Sequence, residues 1–219
     1  MKRPTYLAGT VALCATILVS AGLLAQDHPQ ADMSPEEQAM MQAWQEYATP
    51  GEHHLQLAKN VGEWQIDGKM WNAPNTEPEL FNGTSHIKAV MGGRYFLEKI
   101  DGSEFMGVPF EGHSVFGYDN LTQTYFVYFF DNMGTGVSQY TGTPSGDGKT
   151  IHYTVQMPDI MSGKYITARA VDTQISDDKG TFTMWNTGPD GAEFMSMEVV
   201  ATRKGTSDWT KTKKKKKGY

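Results

Sequence analysis

Two aromatic-rich apolar runs, residues 110–118 and 125–130, flank a short polar segment that begins with Asp119 and Asn120. Asp and Asn accept turn geometry and can hydrogen-bond to their own backbone, so this stretch predicts a β-hairpin. On the second run, one face carries Tyr125, Val127 and Phe129, and the other carries Phe126, Tyr128 and Phe130. Because both faces are apolar, the pattern predicts a strand covered on both sides, in mid-sheet or in the wall of a barrel.

Alternating patterns of this kind fill residues 61–204. In the first of them Trp64, Ile66, Gly68 and Met70 share one face. Turn residues separate the runs, and we expect turns at Gly92-Gly93 and at Asp101-Gly102. The chain therefore predicts about ten antiparallel strands, each joined to the next by a short turn. Closure removes edge strands, so we predict an all-β, antiparallel up-and-down barrel with a short N-terminal helical segment.

Two short helices are expected before the strands. Ser34 is suited to cap the first helix, with Pro35 at its first position and Glu37 completing a capping box. Its larger apolar residues, Met40, Met41, Trp44 and Tyr47, fall close to one face. A second helix is expected over residues 52–59, with Leu55 and Ala58 turned inward.

The first 25 residues have the pattern of a secretory signal peptide. Lys2 and Arg3 precede an apolar run over residues 6–24, and cleavage after Ala21 or Ala25 suits the preference for small residues. An uncleaved membrane anchor is the alternative, because the run approaches spanning length. A lipid anchor on Cys14 is a third possibility that the bulky Leu13 disfavours. The expected location is secreted or periplasmic.

The rest of the chain divides into a leader with the N-terminal helices (26–60), the barrel (61–204) and a disordered basic tail (205–219). Cys14 is the only cysteine, so a processed chain is held by its core alone. The net charge is −6, and the lysine-rich tail leaves the body more acidic still. An acidic body argues against nucleic-acid binding. The tail lysines, Lys213 to Lys217, are expected to make at most weak contact with an anionic surface. The sequence leaves monomer or oligomer open.

Two resemblances support closure of the barrel. Gly62-Glu63-Trp64 opens the first strand and Arg203 lies near the end of the last, which resembles the calycin superfamily of lipocalins and fatty-acid-binding proteins. The resemblance implies that first and last strands pair and that the guanidinium stacks over the indole at one end. The segments GEHHLQLAKNVGEW, MGGRYF, PFEG, GYDN, DNMGTG and MEVVATRK resemble a bacterial family catalogued as domain of unknown function 1579. That likeness covers about residues 50–204 and implies a calycin-like barrel with no established activity.

Charged and aromatic residues inside the predicted strands are the candidate ligand-binding set. Charges among apolar neighbours are costly to bury unless paired, so they indicate either structural ion pairs or a polar group within a cavity. The candidate cavity residues are Arg94, His113, Tyr118, Tyr125, Phe129, Asp131, Arg169 and Trp185, and the candidate closure residues are Gly62, Trp64 and Arg203. A lone inward histidine can hold haem in such barrels, and His113 is the best placed for it.

No sequence motif establishes catalysis. The segment 112–117, GHSVFG, is one residue too long for a nucleophile elbow and lies within a strand. The 13 methionines have no repeat that indicates copper, and suit core or pocket lining better. No catalytic residue, metal site or obligate cofactor is therefore assigned.

The sequence favours an exported barrel that binds a small, partly apolar ligand. One alternative is a hydrolase or isomerase that uses Asp131 or Glu111 as a base in the same cavity. Another is an envelope interaction protein whose barrel is filled with side chains.

Overall fold

The protein is a helix-capped β-barrel, and its computed structural model describes residues 33–105 and 107–205. The helices are α1 (Pro35–Ala48) and α2 (Glu52–Ala58). The strands are β1 (Gly62–Met70), β2 (Glu79–Val90), β3 (Tyr95–Phe105), β4 (Val108–Asp119), β5 (Thr124–Asp131), β6 (Ser138–Pro144), β7 (Thr150–Asp159), β8 (Lys164–Ser176), β9 (Lys179–Thr187) and β10 (Glu193–Gly205). A 3₁₀ turn, Met91–Gly93, joins β2 to β3. The expected signal peptide with its cleavage points, and the basic tail beyond Gly205, lie outside the described residues.

The ten strands form one closed antiparallel barrel in which each strand pairs with its neighbours in sequence and β1 also pairs with β10. Trp64 lies opposite Arg203 in the closing pair and opposite Ser85 in the next. The predicted up-and-down barrel of about ten strands is therefore confirmed. Closure gives every strand two partners, so no strand of the barrel is left with an unpaired edge.

The up-and-down order gives the barrel two different ends. At one end, here called the helix end, β1 begins and β10 finishes; the turns between β2 and β3, β4 and β5, β6 and β7, and β8 and β9 lie there as well. The helix α2 precedes β1 directly, so it lies at this end. The opposite end carries the β1–β2, β5–β6, β7–β8 and β9–β10 connections, and β3 ends and β4 begins there as well.

Side chains alternate between the lumen and the outer surface, as the period of two requires. Along β1 the buried residues are Gly62, Trp64, Ile66 and Gly68, which confirms the predicted inward face. The lumen is narrowed by a packed cluster around Phe96 and Val155, both with no exposed surface. The other buried members of that cluster are Leu57, Tyr118, Tyr125, Tyr153, Ala168, Ala170 and Met184.

Three local expectations are wrong. Asp101 and Gly102 lie within β3 rather than in a turn, because Gly102 gives the room that Phe110 of β4 occupies. The outer face of β5 is not covered, since Tyr128 and Phe130 are 45% and 42% exposed. In α2, Leu55 and Ala58 are exposed, whereas the buried residues are His54 and Leu57.

The capping box of α1 is present as predicted. Ser34 Oγ accepts from the Glu37 backbone N–H and the Glu37 carboxylate accepts from the Ser34 N–H. At the other end of α1, Asn120 of the β4–β5 turn donates to the carbonyls of Glu46, Tyr47 and Thr49. This one side chain therefore ties the helix to the barrel, and α1 buries none of its residues.

Candidate functional site

The helix end is locked by the residues that close the barrel. The guanidinium of Arg203 lies 4.1 Å from the ring centre of Trp64. It also donates to the carbonyls of Lys59, Val61 and Asp177. The Trp64 indole N–H donates to the Asn60 carbonyl at 2.8 Å. The resemblance to calycins implied this stack of arginine on tryptophan, and the structure contains it.

The helix α2 covers the same end through aromatic and apolar contacts. His53 stacks on Tyr118 with ring centres 4.1 Å apart, and its Nδ1 lies 2.8 Å from the Tyr125 hydroxyl. The buried ring of His54 accepts from the Gly51 N–H, and Leu57 packs into the core. A short hydrogen bond from Gln56 to Gln174 joins α2 to β8. These contacts make α2 a cap on the barrel.

Beside this cap lies a cavity of about 60 Å³. Its walls come from α2, from Trp64 of β1, and from the turns that connect β6 to β7 and β8 to β9. The lining residues are Gln56, Leu57, Asn60, Trp64, Tyr125, Pro144, Gly148, Lys149, Thr150, Ile151, Asp172, Gln174, Lys179 and Gly180. The volume is enough for a few water-sized groups.

Asp172 is the one carboxyl group that lines this cavity. It alternates on β8 with the buried Ala168 and Ala170, so it points to the lumen. Burial raises the pKa of the Asp172 carboxyl to about 6, and the nearby charge of Glu98 adds to the increase. No described residue donates a hydrogen bond to it. Asp172 is thus an unpaired acid inside the barrel.

Glu98, on β3, is the second lumenal acid. Ser85 Oγ donates to one of its oxygens at 2.5 Å, and Ser114 Oγ donates to the other at 2.8 Å. The two serines are themselves buried. Glu98 is therefore anchored by its own donors, in contrast to Asp172.

Two inward phenols lie near these acids. Burial raises the pKa of the Tyr140 hydroxyl well above its usual range, and the charges of Glu98 and Asp131 add to the shift. The pKa of the Tyr153 hydroxyl is also raised, mainly by burial and next by Asp172. Both phenols therefore stay protonated at neutral pH. Gly142 makes room for Tyr153, since a Cβ there would lie 2.5 Å from that ring.

Four of the eight predicted cavity residues face the lumen. Tyr118 and Tyr125 lie under α2, where burial raises the pKa of Tyr125 to about 12. Phe129 and Asp131 follow on the same face of β5, nearer the opposite end. Asp131 accepts from the Met133 N–H at 2.9 Å and so stabilises the turn that follows its strand.

The other four do not line the lumen, which corrects their predicted placement. His113 lies between the buried Gly112 and Ser114, so it points outward; there it pairs with Glu111 and stacks on Phe130. It is therefore not the inward histidine that haem would need. Glu111 is likewise an exposed partner of His113 rather than a lumenal base.

Arg169 and Trp185 are partners on the outer surface. The guanidinium lies 3.8 Å from the Trp185 ring centre and forms a bidentate pair with Glu193. Arg94 follows the 3₁₀ turn and donates to the Met91 carbonyl. Strand alternation explains the errors at His113, Arg169 and Trp185, because a one-residue difference in parity changes the side of the wall on which a residue lies.

Sequence reasoning missed Asp172, Tyr140, Tyr153 and His53. Asp172 shares a face of its strand with Ala168 and Ala170, which is a signal for the inward side, whereas the charge of Arg169 favoured the opposite face. His53 gave no such signal, because its partners Tyr118 and Tyr125 are far away in sequence.

Two further features concern the described part of the chain. Within residues 33–105 and 107–205 no three His, Cys, Asp or Glu side chains come together as a metal site would require. Neither α1 nor α2 is long and apolar enough to cross a bilayer.

Several solved structures are similar to this chain. The crystal structure of Rv2717c from M. tuberculosis aligns with 72% of this chain and 100% of its own, at 12% identity and a TM-score of 0.53. The redesigned β-barrel mFAP1, bound to DFHBI, covers 70% of this chain and 100% of its own, at 15% identity and a TM-score of 0.36. EF1p2_mFAP2b, also bound to DFHBI, covers 69% and 99%, at 11% identity and a TM-score of 0.38. At 12% identity the likeness to Rv2717c shows the fold alone, and the TM-scores of the two designed barrels are too low to support an argument.

No curated protein matches the chain. A family model described as "Protein of unknown function (DUF1579)" matches residues 49–203, which takes in α2 and the barrel up to Arg203. Because the match covers well over half of the sequence, the chain belongs to the DUF1579 family.

Proposed function

We propose that this protein is an exported binding protein that holds a small, partly apolar molecule inside the helix end of its barrel. One observation carries the proposal: the cavity beside α2 combines an apolar and aromatic wall with a single unpaired carboxyl group. Binding pockets for small molecules have this composition, with a mostly apolar lining and few polar groups that fix orientation. Leu57, Trp64, Tyr125 and Ile151 supply the apolar wall. Asp172 supplies the carboxyl group, and the other polar lining residues are Gln56, Asn60, Lys149, Thr150, Gln174 and Lys179.

The cavity volume limits what enters without rearrangement. About 60 Å³ is well below the roughly 300–1,000 Å³ of drug-sized pockets. A larger ligand therefore requires α2 to move away from the barrel mouth. The contacts that α2 would give up are the His53 stack on Tyr118, the Gln56–Gln174 hydrogen bond and the burial of Leu57. Several inward residues, including Val127 and Phe182, are only partly buried, so the lumen has accessible surface beyond this cavity.

The first experiment looks for a bound molecule directly. Residues 26–219 would be purified under native conditions and analysed by native mass spectrometry, before and after denaturation and refolding. The expected result is a mass excess that denaturation removes. In parallel, tryptophan fluorescence and melting temperature would be followed against a panel of fatty acids, small aromatics and amines. No mass excess and no response to any member of the panel would overturn the proposal and favour the filled-barrel alternative.

A matched pair of variants on β7 tests the place of binding. Ile151 lines the cavity, whereas its neighbour His152 points outward. Ile151→Trp should fill the cavity and abolish binding of whatever ligand the panel identifies, and His152→Trp should leave binding unchanged. Circular dichroism on both variants checks that the barrel still forms. Equal loss in both variants would place the ligand elsewhere.

Export rests on the pattern of the first 25 residues: a basic start, an apolar run and a small-residue end. Expression of the full chain with a C-terminal tag, followed by cell fractionation and N-terminal sequencing, tests this part. The expected product begins after Ala21 or Ala25 and lies outside the cytoplasm. An uncleaved product retained in the membrane fraction would favour the anchor.

Catalysis is a second candidate, favoured by the raised pKa of the Asp172 carboxyl. A carboxyl group that titrates near pH 6 inside a cavity is suited to act as a general base. The base of such an enzyme would be Asp172 rather than Asp131 or Glu111. Turnover of any compound in a hydrolase and isomerase panel, abolished in Asp172→Asn, would support an enzyme over a binding protein.

A further inference from the structure

The cavity side chain that lacks a partner is a hydrogen-bond acceptor. The Asp172 carboxyl lines the cavity, and no described group donates to it. Burying an ionised carboxyl without a donor is costly, so this group gains from any donor that enters. Asp172 is itself half-buried, and a second inward acceptor, the Asn186 Oδ1, is fully buried without a partner among the described residues. The lumen thus offers acceptors that the protein does not satisfy.

The charges inside the barrel have the same sign. Glu98 faces the lumen near Asp172, and Asp131 lies on the inward face of β5. All described lysines and arginines are exposed except Lys99 and Arg203. Lys99 points outward to Asp101, and Arg203 is occupied by Trp64 and backbone carbonyls. None of the described lysines and arginines forms an ion pair with Asp172, although Lys149 and Lys179 line the same cavity.

We propose that the polar group of the lumenal ligand is a positively charged nitrogen, as in a primary amine or an amidine, and that it binds the Asp172 carboxylate. This inference rests on the proposed binding function and adds the chemical class of the ligand. An ammonium group donates hydrogen bonds to the unpaired oxygens and neutralises a charge that burial disfavours. A carboxylate or phosphate ligand would instead be repelled by Asp172 and Glu98.

Two lysines at the rim of the cavity make an anion the rival class of ligand. Lys149 and Lys179 lie in the β6–β7 turn and at the start of β9, and both are exposed. Exposed charges are screened by water and salt, so their attraction for an anion is weak. Asp172 acts from inside the cavity, where screening is smaller. A cation should therefore bind more tightly than an anion of the same size.

The test compares three small molecules whose size fits the cavity: propylamine, 1-propanol and propionate. Each would be titrated into ¹⁵N-labelled protein at pH 7.5 and fixed ionic strength, with the chemical shifts of the Trp64 indole N–H and the Gln174 backbone N–H as reporters. Propylamine should give saturable shifts in the millimolar range. Propanol should bind at least fivefold more weakly, and propionate should not bind.

Charge-matched variants separate the cavity from general electrostatics. Asp172→Asn should weaken the binding of propylamine at least fivefold. Asp67→Asn should leave that binding unchanged, because Asp67 is an exposed carboxylate on the outer face of β1. Both variants change the net charge equally. If Asp172→Asn does not fold, Asp172→Ser serves as the second neutral variant.

Each remaining outcome contradicts the inference in a recognisable way. If propanol or propionate binds as tightly as propylamine, or if Asp172→Asn leaves the amine affinity unchanged, the cationic class is wrong while the binding function stands. If none of the three gives saturable shifts, the inference also fails. The native mass spectrometry and the ligand panel then decide the binding function independently.

Discussion

The guanidinium of Arg203 lies 4.1 Å from the centre of the Trp64 ring, across the strand pair that closes the barrel. A second pair of the same kind, Arg169 over Trp185 at 3.8 Å, lies on the outer surface. The two pairs have the same chemistry and different surroundings. The Arg203 side chain is 11% exposed and that of Arg169 is 45% exposed.

Replacing these two arginines should therefore have unequal effects. Arg203→Ala leaves the carbonyls of Lys59, Val61 and Asp177 without their donor, so we expect a loss of about 2–4 kcal/mol in the free energy of unfolding. Arg203→Lys should recover only part of the lost stability, because an ammonium group cannot reproduce the planar set of N–H donors of the guanidinium. Arg169→Ala should cost about 1 kcal/mol or less. Urea denaturation measures all three, and equal losses at positions 203 and 169 would contradict the closing role.

Asp172 should make the folded protein less stable as the pH rises. The pKa of its carboxyl is about 6 in the folded protein against an ordinary value of 3.8, so the folded state holds the proton more tightly. Stability from this group is full below about pH 4, falls between pH 4 and 6, and stays low above pH 6. Asp172→Asn should remove this loss and raise the free energy of unfolding by on the order of 2–3 kcal/mol at pH 7.5, with little gain at pH 4. Urea unfolding at the two pH values tests it, and an equal gain at both would rule out ionisation as the cause.

His54, in contrast to Asp172, should make the folded protein less stable as the pH falls. Burial lowers the pKa of His54 below its ordinary value of 6.5, and its Nδ1 accepts from the Gly51 N–H. The unfolded chain therefore binds the proton more readily, and the stability that depends on neutral His54 is lost as the pH falls below about 6.5. His54→Gln keeps an acceptor without a charge, so it should reduce the loss of melting temperature between pH 7 and 5. The outward-facing His113 provides the control, and an equal effect of His113→Gln would contradict the assignment.

Gly142 should not tolerate a methyl group. A Cβ at this position would lie 2.5 Å from the Tyr153 ring, which is itself buried in the core. Gly142→Ala should therefore reduce the free energy of unfolding by about 1–3 kcal/mol, as overpacking does. Gly146→Ala is the matched control, because nothing lies within 4 Å of its Cβ position. A stable Gly142→Ala protein with an unshifted Tyr153 environment would show that the lumen there is less tightly packed.

Prediction from the sequence succeeded where a local pattern determines structure. The capping box at Ser34 and the inward face of β1 both follow from the spacing of residues close together in the chain. The closing stack of Arg203 on Trp64 was reached through family resemblance. Prediction failed at Asp101-Gly102, where a turn-forming pair is absorbed into β3 because Phe110 packs over the glycine. That contact involves a neighbouring strand, which local propensity does not contain.

The sequence by itself determined the number and order of the strands and the helical entry, because hydrophobic alternation and turn chemistry act between near neighbours. Only the tertiary structure decided which wall residues face the lumen, that α2 caps one end through His53, and that Asp172 is left without a donor. Those features depend on strand parity and on contacts between residues such as His53 and Tyr125, which are 72 positions apart. The burial that changes the chemistry of Asp172 arises from groups that are brought together only when the barrel closes.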